Sequence, residues 1–414
     1  MTKTTTESVP FQILGEAEAS ITGPLGWSAG AAVAGIKRYG DEPRYDVGLL
    51  VSDRPCAVGG VFTTNKVCGA PVVISRQCVQ RQRAQAIVVN SGCSNVAMGQ
   101  RGIDDARRMA GLAAAKVGID AELVLVGSTG VIARPLPLEK IEHGIQVLSV
   151  TRDGGPLFSR SIMTTDTVPK VRSVRFEIAG LSYTLSGTAK GSGMSHPNMA
   201  TVFCFVTTDA ALDADWLQAA VKRVADETIN MVDVDMDTST SDMMVAFANG
   251  AAGGPNLAAD PAAAAIVESA MRYVCTELAK DLARDGEGAR TLIEAEVRGA
   301  QSLEDARRAA RTVVSSPLIK TMITGKDPNL GRVLMALGRS GAEMTVEQLS
   351  VWIGEHLAFE RGEPTTLPLE QISREMGAEV VRLVADLGLG QFSATAWGCD
   401  MTEEYVRINA DYTT

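Results

Sequence analysis

Short apolar runs rich in β-branched residues alternate along the chain with longer segments whose apolar groups recur at helical spacing. Residues 46–51 (DVGLLV), 60–63, 71–74 and 86–89 read as strands bounded by turn residues. Residues 103–117 read as a helix with Asp104 and Asp105 in its first turn. A strand at 123–126 runs into the turn Gly127-Ser128-Thr129-Gly130, and 171–178 with 183–187 forms a hairpin pattern. Downstream, 202–205 is a buried-strand pattern, 213–232 and 261–284 are amphipathic helices, and 292–297 is a strand. A helix at 303–314 opens on Ser302-Leu303-Glu304-Asp305, which resembles a capping box. Residues 346–356 read as helical, and 369–384 as mixed. Strands and helices interleave throughout without repeat or low-complexity linker, so the fold class is α/β or α+β, a layered sandwich.

Composition narrows the partners. The 414 residues carry a net charge of −10, which argues against nucleic acid, since phosphate binding needs a basic surface. The longest apolar runs are far below membrane-spanning length, and MTKTTTESVPFQILG has no apolar core of a secretory signal. Seven cysteines form no CxxC pair, and His143, His196 and His356 are far apart. These counts predict buried free thiols, no metal site and a reducing cytoplasm.

One stretch carries unusual chemistry: KGSGMSHPNMATVFCF, residues 190–205. A glycine-rich loop ends at Ala200, and Thr201 opens the buried strand. A threonine hydroxyl needs a base, and a threonine at a chain N-terminus has one in its own α-amine. That amine titrates near ~7.7–8.0, so much of it is neutral at working pH. Thr201 acquires such an amine only if the Ala200–Thr201 bond is broken; Gly191 and Gly193 give the loop before it access to strained backbone. By itself, a threonine at a strand start is more often structural. Thr129 and Gly130, with backbone N–H groups and a hydroxyl in one turn, suit a developing oxyanion. Asn90-Ser91-Gly92 has the same character.

Two other chemistries are weaker. Residues 187–193 lack the GxxxxGK[ST] spacing of a phosphate loop, and Gly325-Lys326-Asp327 lacks the upstream glycine. Asp233, Asp235 and Asp237 alternate as metal ligands do, but the EF-hand glycine and glutamate are missing, and alternation also fits a strand face.

KGSGMSHPNMATV resembles the autoprocessing motif of the ornithine acetyltransferase family of arginine biosynthesis. The resemblance recurs in VSDRPCAVGGVFTTN (51–65), NSG (90–92), STGVIARPLP (128–137), TTDTVPK (164–170), DTSTSD (237–242), ARDGEGA (283–289), SPLIKTMITGKDPNLGR (316–332) and WGCDMTEEYVRINADYTT (397–414). It implies an N-terminal-nucleophile-like fold and a precursor cut between Ala200 and Thr201 into chains 1–200 and 201–414, paired as an (αβ)2 heterotetramer. It further implies that Thr201 takes acetyl from N2-acetylornithine and passes it to glutamate. Thr129 and Gly130 would form the oxyanion hole; Thr164, Lys190, Thr201, Glu287, Asn409 and Thr414 would bind substrate. No cofactor is implied, although acetyl-CoA is a second acetyl donor in bifunctional members.

Some positions depart from the family pattern. Cys93-Ser94 stands where Asn-Ala is usual, Met236 replaces a glycine, Leu330 replaces a tryptophan, and 339–396 matches weakly. The acyl acceptor therefore stays open, and an amidohydrolase or aminopeptidase on the same self-cleaved scaffold is the alternative. An uncleaved binding protein is the non-enzymatic one.

Overall fold

A computed structural model describes residues 9–37, 44–196 and 202–411. Of the positions singled out above, Ala200, Thr201 and Thr414 lie outside the described residues.

The apolar run after Thr201 becomes the strand Phe203–Thr208, buried on both faces. Val202, Cys204 and Val206 enter one core while Phe203 and Phe205 enter another, which is why the run shows no polar alternation. Leu181–Lys190 pairs with it antiparallel on one side and Met243–Ala248 parallel on the other. Among the described residues the full sheet has nine strands. Its order is Gln12–Ile13, Lys170–Ile178, Leu181–Lys190, Phe203–Thr208, Met243–Ala248, Val47–Phe62, Arg83–Cys93 and Val124–Val131, with Trp27–Ala32 also on Val47–Phe62. The predicted strands 46–51 and 60–63 are thus the two ends of one 16-residue strand.

Helices Ala214–Glu227 and Pro261–Arg284 share a core with this sheet and with a second, seven-stranded one, so they form the layer between them. The second sheet runs Glu363–Pro364, His356–Glu360, Ser350–Ile353, Val380–Asp386, Leu292–Ala300, Phe392–Cys399, Val232–Asp233. Leu303–Val314 packs on it, and Ser302 accepts from the Asp305 N–H as the cap predicted.

The first sheet is strongly curled. Lys190 ends the third strand and Thr129 sits on the eighth, five steps away, roughly 24 Å in a flat sheet. Yet Lys190 Nζ donates to Thr129 Oγ1 at 2.8 Å. The concave side is filled by Phe203, Phe205 and Phe247 together with Val72, Val79 and Phe158 from two short helices.

Several elements differ from the sequence expectation. Residues 71–74 are not a strand but the start of helix Ala70–Gln80: Pro71 occupies the first turn, where its missing N–H is harmless, and Val72, Ser75 and Val79 face inward. The 346–356 helix is replaced by the strands Ser350–Ile353 and His356–Glu360, joined through Gly354 at φ +60°. The 213–232 helix stops at Glu227, because Thr228 leaves helical backbone at φ −128°, and Val232–Asp233 joins the second sheet. Helix Gly99–Val117 begins four residues before the expected start, placing Asp104 and Asp105 beyond its first turn. Gly127-Ser128-Thr129-Gly130 and Asn90-Ser91-Gly92 are not turns after strands; they lie within Val124–Val131 and Arg83–Cys93 and pair with each other in parallel. The mixed 369–384 segment resolves into helix Leu369–Glu375 and strand Val380–Asp386.

Ser75 secures the strand that carries Thr129. Its buried hydroxyl donates to the Val126 carbonyl at 2.7 Å and accepts from the Val126 N–H at 2.8 Å, satisfying an edge strand. Ser75→Ala should therefore lower stability by about 1–3 kcal/mol, since both backbone groups lose their partner. Urea denaturation measures this, and a midpoint equal to that of the parent protein would count against the pinning role.

Candidate active site

The loop after Lys190 is fastened by the acidic segment that follows helix Ala214–Glu227. Asp235 accepts from the Met194 and Ser195 N–H groups at 2.6 and 2.8 Å, and the Asp237 carbonyl accepts from His196 N–H at 3.1 Å. His196 Nδ1 lies 2.5 Å from Asp233 Oδ2, and Arg311 Nη2 lies 3.0 Å from His196 Nε2. Arg311 can only donate, which leaves Nδ1–H as the donor to Asp233. Lys320, fully buried, lies 3.3 Å from the other Asp233 oxygen. The alternating acids are therefore loop anchors, and among the described residues no three His, Cys, Asp or Glu side chains are placed to hold a metal. Met236, where the family pattern has glycine, sits half-exposed at φ +66°, a strained conformation for a side chain with a Cβ.

Lys190 leaves the end of its strand, crosses the Phe203 ring at 5.0 Å and bonds Thr129. Both residues are buried. Burial pushes the Lys190 amine below the usual lysine range, with Asp166 and Asp242 only partly opposing. Beside Thr129, Gly130 at φ +123° faces Gly92 at φ +106° on the neighbouring strand. A Cβ on Gly130 would meet the Gly92 backbone at 2.4 Å, so only glycine fits this crossing.

Asp166 organises the floor. It accepts from Lys170 Nζ at 2.7 Å, from Gly191 N–H at 2.7 Å and from Thr164 N–H at 3.0 Å. Lys170 is shared with Asp285 at 2.6 Å. Burial alone would raise the Asp166 carboxyl, but Lys170, Lys190 and the Gly191 N–H outweigh it and hold it at about 2. Thr165 Oγ1 and Ser192 Oγ, 2.6 Å apart, tie the 164–166 loop to the 190–192 loop.

Glu287 enters from the turn after helix Pro261–Arg284. Its N–H donates to Ser192 O at 2.8 Å, and its carboxylate takes Asn409 Nδ2 at 2.7 Å. A Cβ on Gly193 would lie 2.4 Å from that carboxylate, so the glycine makes room for it. Asn409 belongs to helix Glu403–Ala410, docked where Thr402 Oγ1 donates to Gly288 O at 2.7 Å.

Contacts thus run unbroken through five of the predicted positions: Thr129 to Lys190, then by Gly191 and Asp166 to Thr164, and by Ser192 to Glu287 and Asn409. Gly130 adjoins Thr129. Sequence reasoning missed Asp166, Lys170, Asp285 and Asp242, although each falls inside a quoted block; the i, i+4 spacing of Asp166 and Lys170 was the available signal. Asp242 is buried level with Val202, whose carbonyl accepts from Met243 N–H at 3.0 Å. Burial drives its carboxyl well above the usual range, with Lys190 and a hydrogen bond from Ser239 only partly offsetting. Ser94 Oγ donates to Val131 O at 2.9 Å at the far end of the Thr129 strand, and Cys93 Sγ lies 3.4 Å from Arg134 O just beyond it. Leu330 packs on the helix-layer core instead of this site.

A buried amine on a threonine hydroxyl, beside a glycine crossing and linked through Ser192 to a carboxylate–amide pair, offers the opposite charges that an amino-acid substrate carries. Comparison with known proteins agrees. The ArgJ family model matches residues 28–414. The arginine biosynthesis bifunctional protein ArgJ of Dehalococcoides mccartyi is 44% identical over 397 residues, 96% of this chain and 98% of that protein. Its counterpart in Symbiobacterium thermophilum is 46% identical over 396 residues, 95% and 98% of the two. Among solved structures, ornithine acetyltransferase of Mycobacterium tuberculosis, complexed with ornithine, is 33% identical over 46% of this chain and 100% of that one, with TM-score 0.42. The chain belongs to the ArgJ family.

Two outcomes follow from this geometry. The folded Asp166 carboxyl titrates below its unfolded value of 3.8, so the unfolded state binds more protons between those values and stability rises with pH there. Its contribution, about 2 kcal/mol, is complete above pH ~4 and lost as pH falls towards ~2. The stability gap between the parent protein and Asp166→Asn, measured by denaturation from pH 6 to 2, should narrow by that amount; a constant gap would contradict it. Met236→Gly should add up to about 1 kcal/mol by removing the positive-φ strain, read as a higher urea midpoint.

Proposed function

We propose that this chain is a self-cleaving acetyltransferase of arginine biosynthesis that carries acetyl from N2-acetylornithine to glutamate through an acetyl-threonine at Thr201. The observation that carries the reading is the buried Lys190–Thr129 contact beside Gly130, one strand end away from Val202. Membership of the ArgJ family supports it.

In self-cleavage the Thr201 hydroxyl attacks the Ala200 carbonyl, the amide becomes an ester, and water opens it to an Ala200 carboxylate and a free Thr201 amine. That amine takes the hydroxyl proton as Oγ attacks the acetyl carbonyl, and the proton leaves with the α-amine of ornithine. The neutral α-amine of glutamate then attacks the acetyl ester, and Thr201 regains its hydroxyl proton. Thr129 and Gly130 stabilise the oxyanion in each step, a role typically worth about 10²–10³ in rate per donor. Thr164, Lys190, Glu287, Asn409 and Thr414 bind the amino-acid substrates, Lys190 and Glu287 offering charges of opposite sign. Chains 1–200 and 201–414 stay together because Phe203–Thr208 is hydrogen-bonded between strands from both sides of the cut.

The finer attributes belong to the same reading. The chains pair as (αβ)2 in the cytoplasm and no cofactor is required; assaying glutamate acetylation with acetyl-CoA as sole donor decides whether the chain is bifunctional. Six of the seven free cysteines are buried, as a reducing compartment suits. Among the described residues no helix is long and apolar enough to cross a membrane.

Denaturing electrophoresis should give two near-half-mass bands, the second fragment beginning Thr-Val-Phe-Cys-Phe, and one full-length band for Thr201→Ala. Sustained ornithine release from N2-acetylornithine should require added glutamate. An active protein that stays uncut would overturn the mechanism, and glutamate-independent turnover would mark a hydrolase.

A further inference from the structure

A cavity of about 560 Å³ is lined by the Thr164–Asp166 loop. Its wall includes Lys37, Arg44 and Arg160 with Thr164, Thr165 and Asp166. Three cations around one cavity stand out in a chain of net charge −10. Asp166, the one acid among these six, is already engaged by Lys170 and by the Gly191 and Thr164 N–H groups.

Lys37 is held in place by the fold. Buried Asp46 accepts from the N–H groups of Ala34 and Ile36 at 2.6 Å each and of Lys37 at 3.2 Å, pinning the segment. The Lys37 amine gives one hydrogen to Tyr45 O at 2.8 Å, and no acid among the described residues forms an ion pair with it within 4 Å. Its stem lies against Gly92: a Cβ there would come within 3.2 Å of Lys37 Cγ. Gly92 pairs with Gly130, so Lys37 stands one strand from Thr129 and Gly130. Burial lowers its amine to about 8, Asp46 and Asp166 opposing. Arg160, on the exposed rim, forms no ion pair among the described residues.

The acetyl-transfer reading creates a need that this cavity meets. Donor and acceptor share an α-carbon end, but ornithine ends in an ammonium and glutamate in a carboxylate. One site must therefore hold side chains of opposite charge in turn. We propose that Lys37, supported by Arg160, anchors the side-chain carboxylate of the acceptor amino acid and so selects a dicarboxylic acceptor. Glu287 serves the cationic donor end. This rests on the function proposed above.

The test compares L-glutamate with L-glutamine as acceptors in the parent protein, Lys37→Met, Lys37→Arg and Arg160→Gln. A charge-assisted hydrogen bond is worth about 1.5–3 kcal/mol, so Lys37→Met should raise KM for glutamate about 10- to 100-fold. The glutamate-to-glutamine preference should collapse by the same factor, KM for N2-acetylornithine should change by less than about threefold, and Lys37→Arg should recover much of the loss. Arg160→Gln, at the rim, should move the preference the same way by a smaller factor, and it keeps the test open if Lys37→Met fails to fold. An unchanged preference, or equal losses for donor and acceptor, overturns the proposal. If the parent protein transfers no acetyl, the function reading fails by itself; calorimetric binding of L-glutamate to the parent and Lys37→Met proteins then decides Lys37 separately, with equal affinities counting against it.

Discussion

The site exists because the first sheet curls. Lys190 and Thr129 belong to strands five places apart, and only a tightly curved sheet brings an amine from one to a hydroxyl on the other. The curvature is maintained by what fills its concave side. Phe203, Phe205 and Phe247 pack there with residues of two short helices, and the Phe203 ring also lies under the Lys190 amine. Packing and site electrostatics meet at that ring: it supports the curve, and its face favours the Lys190 ammonium while burial of the site weakens the lysine's hold on its proton.

Buried charge is the second constraint. Asp166, Lys170 and Asp285 form a chain in which each acid has the Lys170 cation and further donors from backbone N–H groups or a hydroxyl. Breaking one link would leave an unpaired charge in the interior, so the chain ties the 164–170 loop, the glycine-rich loop and the end of helix Pro261–Arg284 into one arrangement. Asp242 is the contrasting case. Buried beside the start of Phe203–Thr208 and without an ion pair among the described residues, it favours its neutral form. Loops can move, but these charges make their relative placement costly to change.

Much of this was legible in the chain. The two-faced apolar run at 202–206 announced a central strand, and 261–284 and 303–314 announced helices at the observed bounds, because periodicity and a serine cap act locally. The misreadings have local causes too. Pro71-Val72-Val73-Ile74 is β-branched, yet proline at a helix start and a place in the concave core make it helical. Residues 350–360 alternate as strands do, but the turn at Gly354 is the feature that separates them from a helix. Asp233, Asp235 and Asp237 had the spacing of ligands, and only the partners His196, Met194 and Ser195 reveal them as loop anchors.

Sequence alone determined the residue types and their order: a glycine-rich loop before a buried strand, a Thr-Gly pair, and blocks shared along nearly the whole chain with one family. These are properties of neighbours in the chain, where spacing and side-chain chemistry are enough. Tertiary structure decided which of them meet. That Lys190 reaches Thr129, that Gly193 admits Glu287, that Asn409 is docked on it, and that Lys37 stands behind Gly92 all depend on contacts between segments up to 122 residues apart. Such contacts are set by sheet curvature and core packing, to which no local pattern responds.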